Sequence, residues 1–192
     1  MKTAVAAFVK TPGLSPVKTR LAADIGDDKA EEVYLDLVEK TRLALTNTFN
    51  ITPYWAVGEK EGVNSPLWQD FQRLYTGEGD LAVRMSRIYN CLLVKYQAAI
   101  IIGSDCPDIS PFHLKKAIEL IKEGKFVFGP TYDGGFYLFG GAQHVPVDIW
   151  KKVEYSRDDT LANLLPLIEK LGEVVMLDKL HDVDTVDDLA GH

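Results

Sequence analysis

Five consecutive apolar residues, Ala98–Ile102, restrict the fold of this chain more than any other feature of the sequence. A short apolar run of this kind is typical of a strand buried on both faces of a parallel sheet. Gly103 and Pro107 end the run, since proline cannot continue a central strand. Asp105 is therefore expected just beyond the carboxyl end of a buried strand, where open α/β sheets bind their ligands. A carboxylate there needs a partner, either a divalent cation or the backbone amides of a turn.

Apolar runs alternate with amphipathic stretches along the whole chain, and this alternation predicts the fold class. We expect a single α/β domain over residues 1–192, Rossmann-like, with a mostly parallel sheet flanked by helices. The predicted strands are 3–9, 52–57, 73–75, 98–102, 126–128, 134–139 and 173–177. The predicted helices are 27–48, 64–71, 80–96, 111–123, 158–171 and 185–190, with Pro166 expected to kink or break the fifth.

Composition argues against several classes of protein. The 192 residues carry a formal net charge of −7, which is unfavourable for a protein that coats nucleic acid. No apolar run approaches the roughly 18 residues of a membrane span. The two cysteines, Cys91 and Cys106, do not make a disulfide framework, so a reduced, cytoplasmic setting is the simplest interpretation.

The segment 10–21 leaves the first predicted strand and is rich in basic residues, glycine and proline. Gly13 permits close approach of the backbone to a phosphate, and Lys10, Lys18 and Arg20 add charge-assisted donors. A surface loop with solvated lysines explains the local sequence equally well. The position after the first strand favours phosphate binding, because that turn holds phosphates in many doubly wound folds.

An acidic cluster near the end of the chain offers a second group of oxygen donors. Asp182 and Asp184 are two residues apart and would point the same way in an extended segment. Asp187 and Asp188 fall in the first turn of the last predicted helix, where negative charge suits the helix dipole. Asp182 and Asp184 are therefore candidates to share a metal with Asp105, against the alternative of ordinary surface charge.

Two glycines, Gly77 and Gly79, precede the predicted helix 80–96. Asp80 is the expected N-cap of that helix, and Arg84 lies one turn later, where it is expected to pair with Asp80. The glycines permit close backbone approach, so Gly79 is a candidate for contact with a nucleotide.

A Gly-Gly pair follows Asp133 in a loop after the predicted strand 126–128. Gly134, Gly135 and Tyr137 are candidates to shape a pocket for an acceptor substrate. Asp133 is a candidate catalytic residue, as a base or as a ligand of a sugar hydroxyl, and an Asx turn explains it equally well. The sequence has no Gly-x-Ser-x-Gly elbow, and its four histidines lack metal-ligand spacing.

Five motifs in order carry a resemblance to a known family. They are Lys10-x-Pro12-Gly13-x-x-x-Val17-Lys18-Thr19-Arg20-Leu21, Gly79-Asp80-Leu81-x-x-Arg84-Met85, Gly103-Ser104-Asp105-Cys106-Pro107, Asp133-Gly134-Gly135-Phe136-Tyr137-Leu138 and Asp182-Val183-Asp184-Thr185-x-x-Asp188-Leu189. Together they resemble the DUF2064 family, whose members are provisionally assigned as glycosyltransferases of GT-A-like, nucleotide-diphospho-sugar transferase fold. More distantly, the chain is similar to nucleotidyltransferases such as molybdenum-cofactor guanylyltransferase, phospholactate guanylyltransferase and CMP-KDO synthetase.

The resemblance implies roles for individual residues. The implied phosphate ligands are Lys10, Gly13, Lys18 and Arg20, and the implied ligands of Mg²⁺ or Mn²⁺ are Asp105 and Asp184, with Asp182 in reserve. Asp184 is then expected to approach Asp105 across the carboxyl edge of the sheet. Because the reaction moves a group away from a phosphate, a cation and the basic loop, Arg20 included, would stabilise the charge on the departing oxygen.

Three functions stay open at this point. The favoured one is a metal-dependent glycosyltransferase that uses a nucleotide sugar and an unidentified small-molecule acceptor. The alternative is a nucleotidyltransferase that makes a nucleoside-diphosphate-linked product from a nucleoside triphosphate. The third is a non-catalytic sensor of nucleotides or sugar nucleotides, which would need no acceptor pocket near Asp133.

Overall fold

The computed structural model describes residues 1–189, and one seven-stranded sheet organises them. The strands are β1 (Thr3–Val9), β2 (Ile51–Val57), β3 (Gln72–Tyr75), β4 (Ala98–Ile102), β5 (Phe126–Pro130), β6 (Phe136–Gly141) and β7 (Val174–Met176). Their order is β3-β2-β1-β4-β6-β5-β7; β6 runs antiparallel to both neighbours, and every other pairing is parallel. The predicted α/β class with a mostly parallel sheet is confirmed.

Seven α-helices connect or flank these strands within residues 1–189. They are α1 (Thr19–Ile25), α2 (Asp27–Thr46), α3 (Leu81–Lys95), α4 (Pro111–Lys122), α5 (Val147–Trp150), α6 (Thr160–Glu169) and α7 (Val186–Leu189). None of them is both long and apolar enough to cross a membrane. Ala190, the last residue of the predicted closing helix, lies outside the described residues.

Several predicted elements differ from the observed ones. The sequence did not predict α1, because this seven-residue helix buries only Leu21 and so shows no periodic apolar stripe. The short helix predicted over 64–71 is replaced by two 3₁₀ turns, Glu61–Asn64 and Pro66–Trp68. Pro166 lies inside α6 without ending it, so the predicted break is wrong.

Helices cover both faces of the sheet, which explains why the central strands are apolar throughout. Every residue of β4 is buried, as the sequence predicted. Alternate residues of β4 point to opposite faces: Ile100 packs in the core that includes residues of α2 and α4, and Ile101 in the core with α3 and α6. The sheet is therefore the middle layer of a three-layer structure.

The carboxyl ends of the parallel strands meet at one edge of the sheet, called here the carboxyl edge. β1 and β4 are neighbours in register, so the segments that follow Val9 and Ile102 leave the sheet side by side. β5 and β7 are also parallel neighbours, and a further bridge between Thr131 and Leu180 extends their pairing beyond the strands. The loops after β1, β4, β5 and β7 consequently reach the same edge, although the ends of β1 and β7 are 167 positions apart in the sequence.

Candidate functional site

Lys18 lies at the centre of the carboxyl edge and joins three segments of the chain. Its side chain is only 5 % exposed, and its Nζ forms an ion pair with the Asp105 carboxylate. The same Nζ donates to Asp184 Oδ1 at 3.1 Å and to the carbonyl oxygen of Val183 at 2.6 Å. Burial lowers the pKa of Lys18, but Asp105 and Asp184 outweigh it, so the pKa lies above its ordinary value.

Asp105 and Asp184 thus share one ammonium group, which agrees with the prediction that they approach each other at the carboxyl edge. Asp105 is 47 % exposed and Asp184 is 37 % exposed, so both carboxylates also face solvent. Their roles as metal ligands stay a prediction.

An unusual backbone conformation brings Lys18 to this position. Its φ is 45° and its ψ is 47°, the left-handed region that residues other than glycine rarely adopt. The carbonyl oxygen of Lys18 accepts from the amide of Ala22 at 2.8 Å and so begins α1. The loop after β1 therefore turns sharply at Lys18 and sends the side chain inward. The sequence does not indicate this conformation, because lysine rarely adopts the left-handed region.

The closing segment that carries Asp182 and Asp184 is fastened by hydrogen bonds. Asp188 lies on α7, as predicted, and its Oδ2 accepts from the amides of Asp184 at 3.0 Å and Thr185 at 2.7 Å, and from the Thr185 hydroxyl at 2.8 Å. Burial raises the pKa of Asp188, but these donors outweigh burial and lower it overall. Asp188 therefore fixes the backbone at Asp184 and Thr185.

Three carboxylates converge beside Lys18. Asp133, Asp182 and Asp184 each offer an oxygen atom within 4.8 Å of the other two. Burial first, and then the charge of Asp133, raise the pKa of Asp182 to about 6. Asp105 is not part of this group, so the geometry groups Asp133 with the predicted pair Asp182 and Asp184. Sequence reasoning did not group Asp133 with Asp182 and Asp184, because nothing local indicates that the loops after β5 and β7 meet.

The carboxylate of Asp133 also organises its own loop. Its Oδ1 accepts from the amide of Gly135 at 3.0 Å and from the Thr131 hydroxyl. The Asx turn foreseen from the sequence is therefore present. Gly134 has a φ of 90°, and a Cβ atom there would lie 1.9 Å from the carbonyl oxygen of Asp158, so this position requires glycine.

Tyr137 does not line a pocket, which corrects the expectation from the sequence. The residue is 2 % exposed, and its hydroxyl donates to the carbonyl oxygen of Asp178 at 3.1 Å. A Cβ atom on Gly129 would lie 2.3 Å from the Tyr137 ring, so the ring fills space beneath β5. The exposed aromatic residue of this loop is Tyr132, which stacks on His181 with ring centroids 4.0 Å apart.

The loop after β1 has a fixed shape and presents two exposed basic side chains, those of Lys10 and Arg20. The amide of Lys10 donates to the Tyr34 hydroxyl oxygen, which in turn donates to the carbonyl oxygen of Lys10, both at 2.8 Å. Gly13 has a φ of 82°, and no atom would contact a Cβ placed on it. Arg20 is 65 % exposed, and its Nη1 lies 3.6 Å from Asp184 Oδ2. The predicted phosphate-binding loop thus borders the acidic group.

The glycine loop before α3 is held by arginines, and the predicted Asp80–Arg84 pair is wrong. Asp80 caps α3 by accepting from the Val83 amide at 3.0 Å, as expected. Arg84 instead donates through Nε to the carbonyl oxygen of Gly79 and through Nη1 to that of Gly58, both at 2.9 Å. A Cβ on Gly79 would lie 3.1 Å from Val83, so packing already explains this glycine. Its contact with a nucleotide stays a prediction.

Comparison with known protein families gives one match. The family described as "Uncharacterized protein conserved in bacteria (DUF2064)" matches residues 41–157. The chain belongs to the DUF2064 family. The part matched to DUF2064 includes Asp105 and Asp133, whereas Lys18, Asp182 and Asp184 lie outside it and join the site through the tertiary structure. No curated protein matches the chain.

Several solved structures share the fold. A provisionally assigned nucleotide-diphospho-sugar transferase from Desulfovibrio desulfuricans is 26 % identical, with a TM-score of 0.88 over 98 % of this chain and 84 % of its own. A CMP:2-keto-3-deoxy-manno-octonic acid synthetase in complex with CTP is 9 % identical, with a TM-score of 0.57 over 100 % and 96 %. Rv0371c of Mycobacterium tuberculosis in complex with manganese is 12 % identical, with a TM-score of 0.50 over 100 % and 97 %. At identities this low, the last two show a common fold only.

Proposed function

We propose that this chain is a transferase that uses a nucleotide-activated donor, and that the group transferred is a sugar from a nucleotide sugar. One observation carries the proposal: a basic loop and a group of carboxylates meet at the carboxyl edge of a parallel sheet. This arrangement is complementary to a metal-bound diphosphate, which needs cationic donors for its oxygens and carboxylates for its cation. The likeness to a nucleotide-diphospho-sugar transferase supports the same class.

The donor phosphates would bind along the loop after β1. Lys10 and Arg20 are exposed there, and the backbone at Gly13 is free of contacts that would block a ligand. Lys18 adds a third cation beneath them. As the bond between sugar and phosphate breaks, negative charge grows on the departing diphosphate, and Arg20 would stabilise it.

The acidic group fits a divalent cation such as Mg²⁺ or Mn²⁺. Its donors are all carboxylate oxygens, which hard cations prefer. The pKa of Asp182 is raised first by burial and then by the charge of Asp133, and a cation would relieve the second effect. Asp182 and Asp184 would be its ligands, with Asp105 and Asp133 beside them. A bound cation would supply Lewis acidity toward the diphosphate.

The acceptor would approach from the loop after β5. Asp133 is exposed, and the loop holds it through the Asx turn at Gly135, so its carboxylate can accept the proton of an acceptor hydroxyl. The backbone at Gly134 and Gly135 would form one wall of that space. The acceptor oxygen would bond to the anomeric carbon while the bond from that carbon to the diphosphate breaks.

Nucleotidyl transfer is the second candidate, and the relative that binds CTP favours it. The same cations and carboxylates serve both reactions, but a different bond breaks. A nucleoside triphosphate would then lose pyrophosphate as the acceptor attacks its α-phosphorus.

Product analysis separates these candidates. The protein is first screened by thermal shift against nucleotides and nucleotide sugars with and without Mn²⁺, since a ligand that binds the folded state raises the melting temperature. Hits are then incubated with hydroxyl-bearing acceptors. Release of a nucleoside diphosphate supports glycosyl transfer, and release of pyrophosphate supports nucleotidyl transfer. Binding without turnover, under conditions that leave the ligand intact, would favour a sensor.

Matched variants tie any activity to the site. Asp184→Asn should abolish Mn²⁺-dependent turnover, whereas Asp187→Asn, at an exposed position three residues later on α7, should leave turnover near the wild-type value. Equal activity in both variants would show that the acidic group has no part in the proposed function.

A further inference from the structure

Lys18 has contacts that resemble those of a bound cation. An ammonium group has three N–H donors, and those of Lys18 face three oxygens: Asp105 Oδ1, Asp184 Oδ1 and the carbonyl oxygen of Val183. The side chain is 5 % exposed, so water contributes little to its solvation. Two carboxylates and one carbonyl are also the oxygen types that Mg²⁺ and Mn²⁺ bind.

The ammonium and a divalent cation compete for Asp184. A cation that binds Asp184 with Asp133 and Asp182 lies next to Lys18 Nζ, because Nζ is 3.1 Å from Asp184 Oδ1. Like charges at such separations repel, and burial of the Lys18 side chain limits screening by water. A cation bound at Asp184 therefore weakens the hold of this site on the Lys18 ammonium.

The backbone at Lys18 indicates that Lys18 is the group that can move. Its left-handed conformation is strained for a lysine, and strain of this kind persists only when surrounding contacts impose it. The side-chain contacts that hold Lys18 in place are the ion pairs with Asp105 and Asp184 and the hydrogen bond to the carbonyl oxygen of Val183. When another cation takes Asp184, the Lys18 side chain loses one of its two ion pairs and is repelled by the new charge, which favours relaxation of the loop after β1.

We propose that Lys18 is an internal cation that holds Asp105 and Asp184 together until a divalent cation takes Asp184, after which Lys18 turns toward the donor phosphates. This inference rests on the proposed metal-dependent function and adds an order of events. The metal enters first, and only then does the loop after β1 gain its third phosphate ligand.

Amine labelling of the wild-type protein tests the proposal without a mutation. An acetylating reagent is applied with and without saturating Mn²⁺, and mass spectrometry follows the modification of each lysine. Lys18 should react slowly without Mn²⁺ and at least five times faster with it, whereas the exposed Lys179 should react at one rate throughout. Mn²⁺ binding itself is measured separately by electron paramagnetic resonance. Bound Mn²⁺ with Lys18 still protected would overturn this inference and leave the metal site standing.

A charge-matched pair of variants gives an independent test. Lys18→Met removes the competing cation, so Mn²⁺ should bind at least tenfold more tightly than to the wild type. Lys179→Met loses the same charge beside the site and measures the general electrostatic effect, which should be below threefold at 0.15 M salt. Equal or weaker Mn²⁺ binding by Lys18→Met would overturn the inference. Absence of Mn²⁺ binding in the wild type and both variants would overturn the proposed metal site as well.

Discussion

The amide of Val183 donates a hydrogen bond of 3.0 Å to the carbonyl oxygen of Asp105. This bond fastens the closing segment to the loop after β4, across 78 positions of sequence. Val183 is also buried, so its side chain anchors the segment in the protein while Asp182 and Asp184 on either side are part of the acidic group. The candidate site therefore depends on the closing segment as much as on the sheet.

Asp188→Ala should destabilise the protein and loosen Asp184. The substitution removes the acceptor of three hydrogen bonds, from the amides of Asp184 and Thr185 and the Thr185 hydroxyl, which should cost about 1–2 kcal/mol. Urea unfolding measures the loss, and hydrogen exchange should show faster exchange at both amides. Asp187→Ala, at an exposed position on the same helix, should change stability by less than about 0.5 kcal/mol. Equal losses in the two variants would contradict the role given to Asp188.

Arg20→Ala should weaken binding of phosphate-bearing ligands and leave binding of the bare nucleoside unchanged. Arg20 is 65 % exposed, so its removal disturbs little packing. The loss of one charge-assisted contact corresponds to about tenfold in affinity. Calorimetry compares nucleoside, diphosphate and triphosphate, with Arg73→Ala, an exposed arginine of β3, as the control. If Arg20→Ala weakens the binding of the nucleoside as much as the binding of its triphosphate, Arg20 does not contact phosphate.

Asp105→Asn should reduce the metal dependence of nucleotide binding while the protein stays folded. The carboxylate faces solvent on one side and Lys18 on the other, so the variant keeps the shape of the side chain and loses its charge. The expected weakening of Mn²⁺-dependent binding is about tenfold or more. Asp24→Asn, at an exposed position on α1, should behave as wild type. Mn²⁺ dependence that is the same in both variants would exclude Asp105 from the site.

Two glycine substitutions should differ sharply in their effect on stability. Gly134→Ala places a Cβ 1.9 Å from the Asp158 carbonyl oxygen at a φ of 90°, so backbone must move and the cost should be at least about 3 kcal/mol. Gly13→Ala has a similar φ of 82° with open space around it, so only backbone strain of about 1 kcal/mol is expected. The urea concentrations at which the two variants are half unfolded measure this difference in stability. Similar midpoints would mean that the Asp133 loop adapts freely.

His113 should make stability depend on pH below neutrality. Its Nδ1 accepts from the Ser110 amide at 3.3 Å in the capping box of α4, and burial lowers the pKa of His113 below its ordinary 6.5. The unfolded chain then binds the proton more readily than the folded protein, so stability is present above pH 6.5 and is lost as pH falls through the folded pKa.

The substitution His113→Gln keeps an acceptor in the capping box and removes the titration. Its melting temperature should fall less than that of the wild type between pH 7 and pH 5. If the melting temperatures of the two proteins fall equally over that range, groups other than His113 cause the acid sensitivity.

Local patterns were sufficient to predict most of the elements and the residues that follow each strand. β4 was predicted without error because a run of five apolar residues is short for a helix and suits a strand covered on both faces. Asp105 was therefore placed correctly beyond its end. The same reasoning missed α1, which has a single buried residue and so no pattern to detect.

The amino-acid sequence by itself determined which residues lie at strand ends, because the spacing of apolar residues within each element reflects the burial of that element alone. Only the tertiary structure decided which of those ends are neighbours. Asp133 joins Asp182 and Asp184 because β5 and β7 pair in parallel, and Tyr137 is buried because its ring fills the space next to Gly129, beneath β5. The partners of Lys18 follow from the same cause: contacts between residues 87 and 166 positions apart depend on strand order, which no local periodicity encodes.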